Sequence, residues 1–363
     1  MNRVSFLGLA GVFALAAAQV ISAQSAATFT TFNVPAAGTA ADQGTIAYSI
    51  NTAGTIAGNY IDSSGVYHGF VRAASSAFTT FDAPCAGTAA GQGTGGFFSI
   101  NTSGAVAGNC LDSSNVLHGF VRAANGKFAT FEAPGAGTAA YQGTYPYSIN
   151  TAGDVTGYYL DGSNVYHGFL RAPNGTITTF DVSGAGTGPY QGTVGASINA
   201  SGTISGPWID SSSGYHGFVR AANGTVTTVV VPDTGIYCYG INAAGTITGN
   251  SWVSGQGASG MLRSAGGAIT TFNAPGAGTG DNQGTVGWGI NKSGTVEGWY
   301  IDANTAYHGF VRAASGKLAT FNVPGAGTGA NQGTYPESIN TAGDIAGYYV
   351  DAGNVAHGFL RTP

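Results

Sequence analysis

AYSINTAGTIAGNYIDSSGVYHGFVRAASSAFTTFDAP occupies residues 47–84, and its punctuation decides the fold. AYSIN (47–51) reads as a strand, TAG as a turn, and TIAGNYID (55–62) as a second strand. SSGVY then leads to HGFVRA (68–73), and a further turn leads to FTTFDAP (78–84). Short β-favouring runs bounded by Gly, Ser, Asn and Asp form an antiparallel meander. Within HGFVR, strand alternation puts His68, Phe70 and Arg72 on one side, with Gly69 and Val71 on the other. Beyond the N-terminal leader, no run combines period-3.6 apolar spacing with caps, so helices are not expected.

Aligned on the HGF triplet, the chain repeats itself. The triplet begins at His68, His118, His167, His216, His308 and His357, and Ser259 of ASGMLR takes the His position once. Successive intervals are 50, 49, 49, 43, 49 and 49 residues. The short one arises between Pro232 and Asn242, where the connection spans ten residues instead of sixteen or seventeen. A period near fifty with four short strands per unit predicts the blades of a β-propeller. ANGK, PNGT and ANGT supply hairpin turns between third and fourth strands. The ends are permuted: FTTFNVP (29–35) is a lone fourth strand, and the chain stops soon after HGFLR (357–361), a third strand. The expectation is therefore an all-β, seven-bladed propeller of four-stranded antiparallel blades, its ring closed by the N-terminal strand completing the last blade. An open β-solenoid would leave the permuted ends unexplained.

The recurring SIN–TAG, then G-Y-Y, D, HGF[VL]R, NG and TTFD resembles the bacterial extracellular HAF-family repeat. The resemblance covers nearly all of the chain after the leader. It implies an exported, propeller-like repeat protein and says little about mechanism. The fifth unit departs from the pattern, lacking both the His and the long linker.

The N-terminus reads MNR, VSFLGLAGVFALAAA, then QVISAQSAA. A basic start, a short apolar run and small residues predict a signal peptide over 1–27, cleaved between about Ala23 and Ala27. Residues 28–363 then form a single propeller domain, exported to the periplasm or the extracellular space. No Cys lies near the leader, which argues against a lipid anchor, and nothing later predicts membrane insertion of the mature chain. Charged residues are 7% of the chain, aromatics 11%, and glycines number 62, a composition of ordered rather than disordered chains. The net charge of −5 argues against nucleic acid as a partner. Cys85, Cys110 and Cys238 occupy no common repeat position and make no disulfide framework, so they read as incidental small apolar residues, with one disulfide plus a free thiol the alternative in an oxidising compartment.

Six positions before each His stands an Asp. The pairs are Asp62–His68, Asp112–His118, Asp161–His167, Asp210–His216, Asp302–His308 and Asp351–His357. The fifth unit loses both partners together, with Val253 and Ser259, so the two side chains are expected to meet as a structural tie across one loop. Metal binding needs several ligands on one ion, whereas these histidines fall in different blades. Catalysis would need a recurring nucleophile, and none is present. No catalytic residue, metal or cofactor is expected. Arg72, Arg122, Arg171, Arg220, Arg263, Arg312 and Arg361 also share one position, and read as donors to backbone carbonyls between blades.

Function should lie where the units differ. Linkers such as GTAADQGT (38–45) and GTAAYQGT (137–144) keep a Gln but vary the residue before it: Asp42, Gly91, Tyr141, Tyr190, Asn282 and Asn331. Before SIN or GIN stand Tyr48, Phe98, Tyr147, Ala196, Tyr239, Trp288 and Glu337, mostly expected in the core between blades. Glu337, with Glu297 of TVEGWY, fits a core least well. Candidate ligand-binding residues are Tyr141, Tyr190, Trp288, Glu337, Asn282 and Asn331. They suggest a non-enzymatic binding module for a neutral glycan on the linker face. A platform for a surface protein is the alternative, and a glycan hydrolase or lyase using Glu337 and Glu297 is the least favoured reading.

Overall fold

The computed structural model describes residues 27–231 and 234–363, and these are all-β, with no helix among them. The expected signal peptide, apart from Ala27, lies outside the described residues, as does Pro232. No helix of the described residues is long and apolar enough to cross a membrane.

After β1 (Thr28–Phe32), the stretch quoted above forms β2 (Gly44–Ile50), β3 (Ile56–Ile61), β4 (Tyr67–Arg72) and β5 (Phe78–Phe81). Neighbours pair antiparallel, with Tyr60 opposite His68 and Gly69 opposite Phe81. The HGF triplet now has a physical meaning. Phe70 and its counterparts Phe120, Phe169, Phe218, Phe310 and Phe359 are fully buried. A Cβ on Gly69 would collide with the Phe81 ring, so the glycine leaves the platform on which that ring lies.

The same four-strand set recurs along the chain. In the last one, Gly333–Ile339, Ile345–Val350 and Ala356–Thr362 are joined by β1, which pairs antiparallel with Ala356–Thr362 through Phe29–Arg361 and Phe32–Gly358. Successive sets touch where a first strand begins, as in the parallel pair Gly93–Tyr67, and Gly44–Ala356 makes the same contact between the two ends of the chain.

A circuit of asparagines links the sets. Asn51 Nδ2 donates to the carbonyl of Asn101 at 3.1 Å, Asn101 to that of Asn150 at 3.1 Å and Asn150 to that of Asn199 at 3.2 Å. Asn199 continues to Asn242 at 3.1 Å, Asn242 to Asn291 at 3.2 Å and Asn291 to Asn340 at 3.1 Å. Asn340 returns to the carbonyl of Asn51 at 3.4 Å. Each Oδ1 meanwhile accepts amides of its own TAG-type turn, as Asn51 does from Ala53 and Thr55. These buried amides are thus satisfied both as donors and as acceptors.

The arginines behave differently from the sequence expectation. Rather than serving carbonyls of a neighbouring set, the guanidinium lies over a Phe of the preceding set at every one of these positions except Arg263, which donates to the Ser264 carbonyl. Arg72 sits 4.7 Å from the Phe32 ring centroid, Arg122 4.8 Å from Phe81 and Arg361 5.2 Å from Phe321. A planar, weakly hydrated cation suits an aromatic face in a half-buried seam. The carbonyl that Arg122 does reach, at 3.4 Å, belongs to Ala123 next to it.

Of the two cysteine readings, the structure has one disulfide and one free thiol. Cys85, just after β5, is disulfide-bonded to Cys110 of the next set, with Cα atoms 5.9 Å apart. Packing of adjacent sets brings non-equivalent repeat positions together, which alignment of the units does not reveal. Closing a loop of sequence separation 25 is worth about 3–4 kcal/mol by chain entropy. Cys238 is buried, and burial pushes its thiol up to about 12.

Candidate functional site

The first strand carries a bulge in every set but the fourth, where it is split into Gly192–Thr193 and Ser197–Ile198. In β2 the register skips between Ala47 and Ser49, so Tyr48 leaves the ladder. Tyr48, Phe97, Tyr147, Tyr239, Trp288 and Glu337 converge in this way on a cavity of about 190 Å³, with Ala196 completing its wall. These positions line a space as well as meeting the core between sets, and in the second set Phe97 joins Phe98 at the wall. GTGGFFSI (93–100) holds one residue more than its counterparts, and its register jumps from Gly95 to Ser99. Phe98 therefore turns into the core against Phe120, at 5.7 Å between centroids, while Phe97 sits 5.2 Å from Tyr48 and 6.0 Å from Trp288.

Glu337 is buried at the edge of this cavity, and its Oε2 has no hydrogen-bond partner among the described residues. Burial first, then the nearby Glu297 charge, raises its carboxyl well above the ordinary range. Glu297 is fully buried, and burial raises it to about 8 against a small opposing effect of the Gly289 amide. A Cβ on Gly289 would overlap the Glu297 carboxylate, so the glycine that replaces the usual Ser makes room for it.

The linker positions form a second region. Asp42, Gly91, Tyr141, Tyr190, Asn282 and Asn331, the variable residues before each Gln, all have a left-handed backbone, with φ between 59° and 81°. Gly, Asn and Asp adopt that conformation at little cost, whereas Tyr does not. Tyr141 and Tyr190 are nevertheless 64% and 61% exposed, so packing does not account for them. Strain held without a packing return marks a position kept for its side chain.

Tyr141 stands at the rim of a cavity of about 370 Å³ whose lining includes Tyr67, Tyr145, Tyr158 and Asn109 and contains no charged residue. Tyr145 and Tyr158 stack at 4.6 Å with an interplanar angle of 11°, and Tyr145 donates its hydroxyl to the Tyr141 carbonyl at 3.0 Å. Gly95 and Gly96 supply the space, since a Cβ on Gly96 would strike the Asn109 amide. Tyr190 extends the aromatic row, 6.3 Å from Tyr166, which meets Tyr158 edge-on at 5.2 Å.

The six candidates do not form one site. Trp288 and Glu337 face the inner cavity, Tyr141 and Tyr190 the aromatic row, and Asn282 a separate cavity beside Trp252. Asn331 accepts the Tyr335 hydroxyl on its carbonyl at 2.7 Å. Tyr145, Tyr158 and Asn109 escaped sequence reasoning. A signal existed: the position of Asn109 reads Asn59, Tyr158, Pro207, Asn250, Trp299 and Tyr348 in the other units.

The structure brings each Asp to its His. Nε2 lies 3.5 Å from Oδ2 in Asp62–His68 and Asp161–His167, 3.2 Å in Asp112–His118 and 2.8 Å in Asp210–His216. In Asp302–His308 it is 3.3 Å, and in Asp351–His357 3.1 Å. Oδ1 of the same Asp accepts two loop amides, those of Ser64 and Val66 for Asp62, and so braces the loop. The His216 hydrogen bond, with the Gly214 and Ser212 amides, holds the Asp210 carboxyl below its usual range despite partial burial. A second partner, found for every His except His216, was not foreseen. Nδ1 meets the residue after the TTF-type strand: Asp82 for His68 at 2.8 Å, Asp181 for His167 at 3.0 Å and Asn322 for His308 at 2.9 Å. Val230 takes that position opposite His216, whose Nδ1 is buried without a partner among the described residues.

No family model matches this chain, and no curated protein does. Among solved structures it is similar to streptogramin B lyase, a propeller-fold protein, with a TM-score of 0.58 and 14% identity over 93% of this chain and 98% of that one. Puromycin hydrolase gives 0.52 and 12% identity, over 87% of this chain and 50% of the other. The fungal lectin of Aleuria aurantia, a six-bladed β-propeller, reaches only 0.43 at 9% identity, over 76% and 92%. At such identities the first two likenesses establish the β-propeller fold and carry nothing about ligand or activity.

Proposed function

We propose that this chain is an exported, non-enzymatic propeller of the HAF-repeat type that binds a neutral glycan on its linker face. It has seven blades, and β1 closes the ring. The pairing of β1 with Ala356–Thr362, the asparagine circuit and the stacking of Arg72 on Phe32 support that closure.

One observation carries the binding reading: the uncharged cavity of about 370 Å³ beneath the strained, exposed Tyr141. Tyrosine faces stack on the C–H side of a sugar ring, and the Asn109 amide offers both a donor and an acceptor to hydroxyls. A ligand without charge suits a lining without charge. The platform alternative has less support, since among the described residues the exposed large hydrophobics are only Tyr141, Tyr190, Val230 and Val253. A hydrolase or lyase would need two carboxyls facing one space, and Glu297 is fully buried.

Calorimetric titration of the purified protein with maltotriose, cellotriose and mannotriose tests the reading. At least one should bind, and Tyr158→Ala should weaken it about tenfold or more, as loss of an aromatic contact of roughly 1.5 kcal/mol implies. Absence of binding by all three at millimolar concentration would overturn it.

A further inference from the structure

The fifth set departs from the others in more than its missing Asp and His. At the end of its second strand, where the other sets carry Ile61, Leu111, Leu160, Ile209, Ile301 and Val350, it places Trp252. This larger side chain is only half-buried, so core packing does not account for it. Trp252 stacks on Tyr237 at 5.4 Å and lies 5.6 Å from Tyr215, whose ring is 5.0 Å from that of Tyr237. Where four other units have Tyr67, Tyr166, Tyr215 and Tyr307, the fifth has Ala258. The space beside these three rings is a cavity of about 660 Å³, bordered also by Tyr307, Asn250 and Ala258, with Asp281 the one charged residue in its lining. Asn250 is only 7% exposed, and its Oδ1 has no hydrogen-bond partner among the described residues. A buried acceptor left without a donor is costly, and a ligand hydroxyl would supply one.

We infer that this cavity is a second carbohydrate site, separate from the one under Tyr141, so that one chain carries two. It takes a hexopyranose ring, stacked on Trp252 or Tyr237, with a hydroxyl donated toward Asn250. The inference rests on the glycan-binding reading and adds to it a second place and a stoichiometry. The two sites differ in lining: the first is uncharged, and the second has Asp281 at its edge.

Two variants separate the sites. Trp252→Ala removes the platform, and Ala258→Tyr introduces the residue that four other units carry and fills the space without deleting a contact. Calorimetry with whichever trisaccharide of the same panel binds should give a stoichiometry near two for the wild type. It should fall to near one in either variant and, independently, in Tyr158→Ala. Circular dichroism checks that each variant folds. A wild-type stoichiometry of one, abolished by Tyr158→Ala and unchanged by Ala258→Tyr, would overturn the second site and leave the first reading standing. A stoichiometry of one that Ala258→Tyr abolishes and Tyr158→Ala does not would overturn both the pairing of sites and the first placement. No binding at all would overturn both proposals.

Discussion

His357 and Asn33 stand at opposite ends of the chain, yet Nδ1 of the first lies 3.0 Å from Oδ1 of the second. The contact repeats at the seam what His68 makes with Asp82 inside the first set. Deleting residues 28–35 removes this contact, the pairing of β1 and the Phe32 face under Arg72. The last set would then expose an edge strand, and a large drop in melting temperature or aggregation is expected. A melting temperature equal to that of the intact chain would exclude β1 as a structural part of the seam.

The Asp–His contacts should be energetically coupled. Asp161→Asn and His167→Ala are each expected to destabilise, and the double variant should cost less than their sum by about 0.5–3 kcal/mol. Because His167 also meets Asp181, His167→Ala should cost more than Asp161→Asn. Denaturant titration of the three variants measures the coupling, and strict additivity would mean that the side chains do not interact.

Tyr141 offers a trade. Asn and Gly tolerate its left-handed backbone, and Gly91 already occupies the equivalent position. Tyr141→Asn should therefore stabilise the fold by about 0.5–1 kcal/mol while weakening glycan binding. Thermal melting and calorimetry read the two effects separately. A variant that loses stability would show that the Tyr ring packs favourably after all.

Glu297 sets a pH dependence. Its carboxyl is raised in the fold to about 8, chiefly by burial, so between its unfolded value of roughly 4.3 and 8 the native state holds the extra proton. Stability from this group is thus full at low pH and declines as pH rises through that window. Glu297→Gln should melt within a degree or so of the wild type near pH 4.5 and several degrees higher at pH 8.5. Identical melting curves across the range would mean that the carboxyl is not desolvated.

His118 adds a trend of the same sign. Burial disfavours its charge, but hydrogen bonds and attraction from Glu132 and Asp112 outweigh that and raise its pKa. Its contribution is complete below the unfolded value of about 6.5 and is lost as pH climbs through the folded one. His118→Gln should flatten that decline, as seen in melting temperatures between pH 5 and 8.

Much of this architecture is legible in the repeat, because HGF, TTF and SIN each satisfy a local rule of strand, turn and alternation. The asparagine of SIN gave no hint of its partner, since the carbonyl it meets belongs to the next unit. Phe97 and Phe98 could not be told apart without the register, because one inserted residue reverses which ring faces inward. The disulfide joins unlike repeat positions, and the second partner of a His lies fourteen residues on for His68, His118, His167 and His308 and, for His357, at the other end of the chain. The aromatic cavity was obscured for another reason. Its walls come from strand positions that vary between units, and the linkers, which vary more visibly, contribute only its rim.

The asparagine circuit also works as a counting device. In the closed ring proposed above, each side chain must span to the next carbonyl and the last must span back to the first, so the angle between successive units would be shared out around the whole array. Inserting or losing one unit would change every one of those angles at once and strand buried amides throughout the circuit, not only at the site of the change. Such a chain could diversify freely at its rims, by exchanging a Tyr for an Asn or a Gly, while gene duplication of a single unit would be resisted by the molecule's own interior.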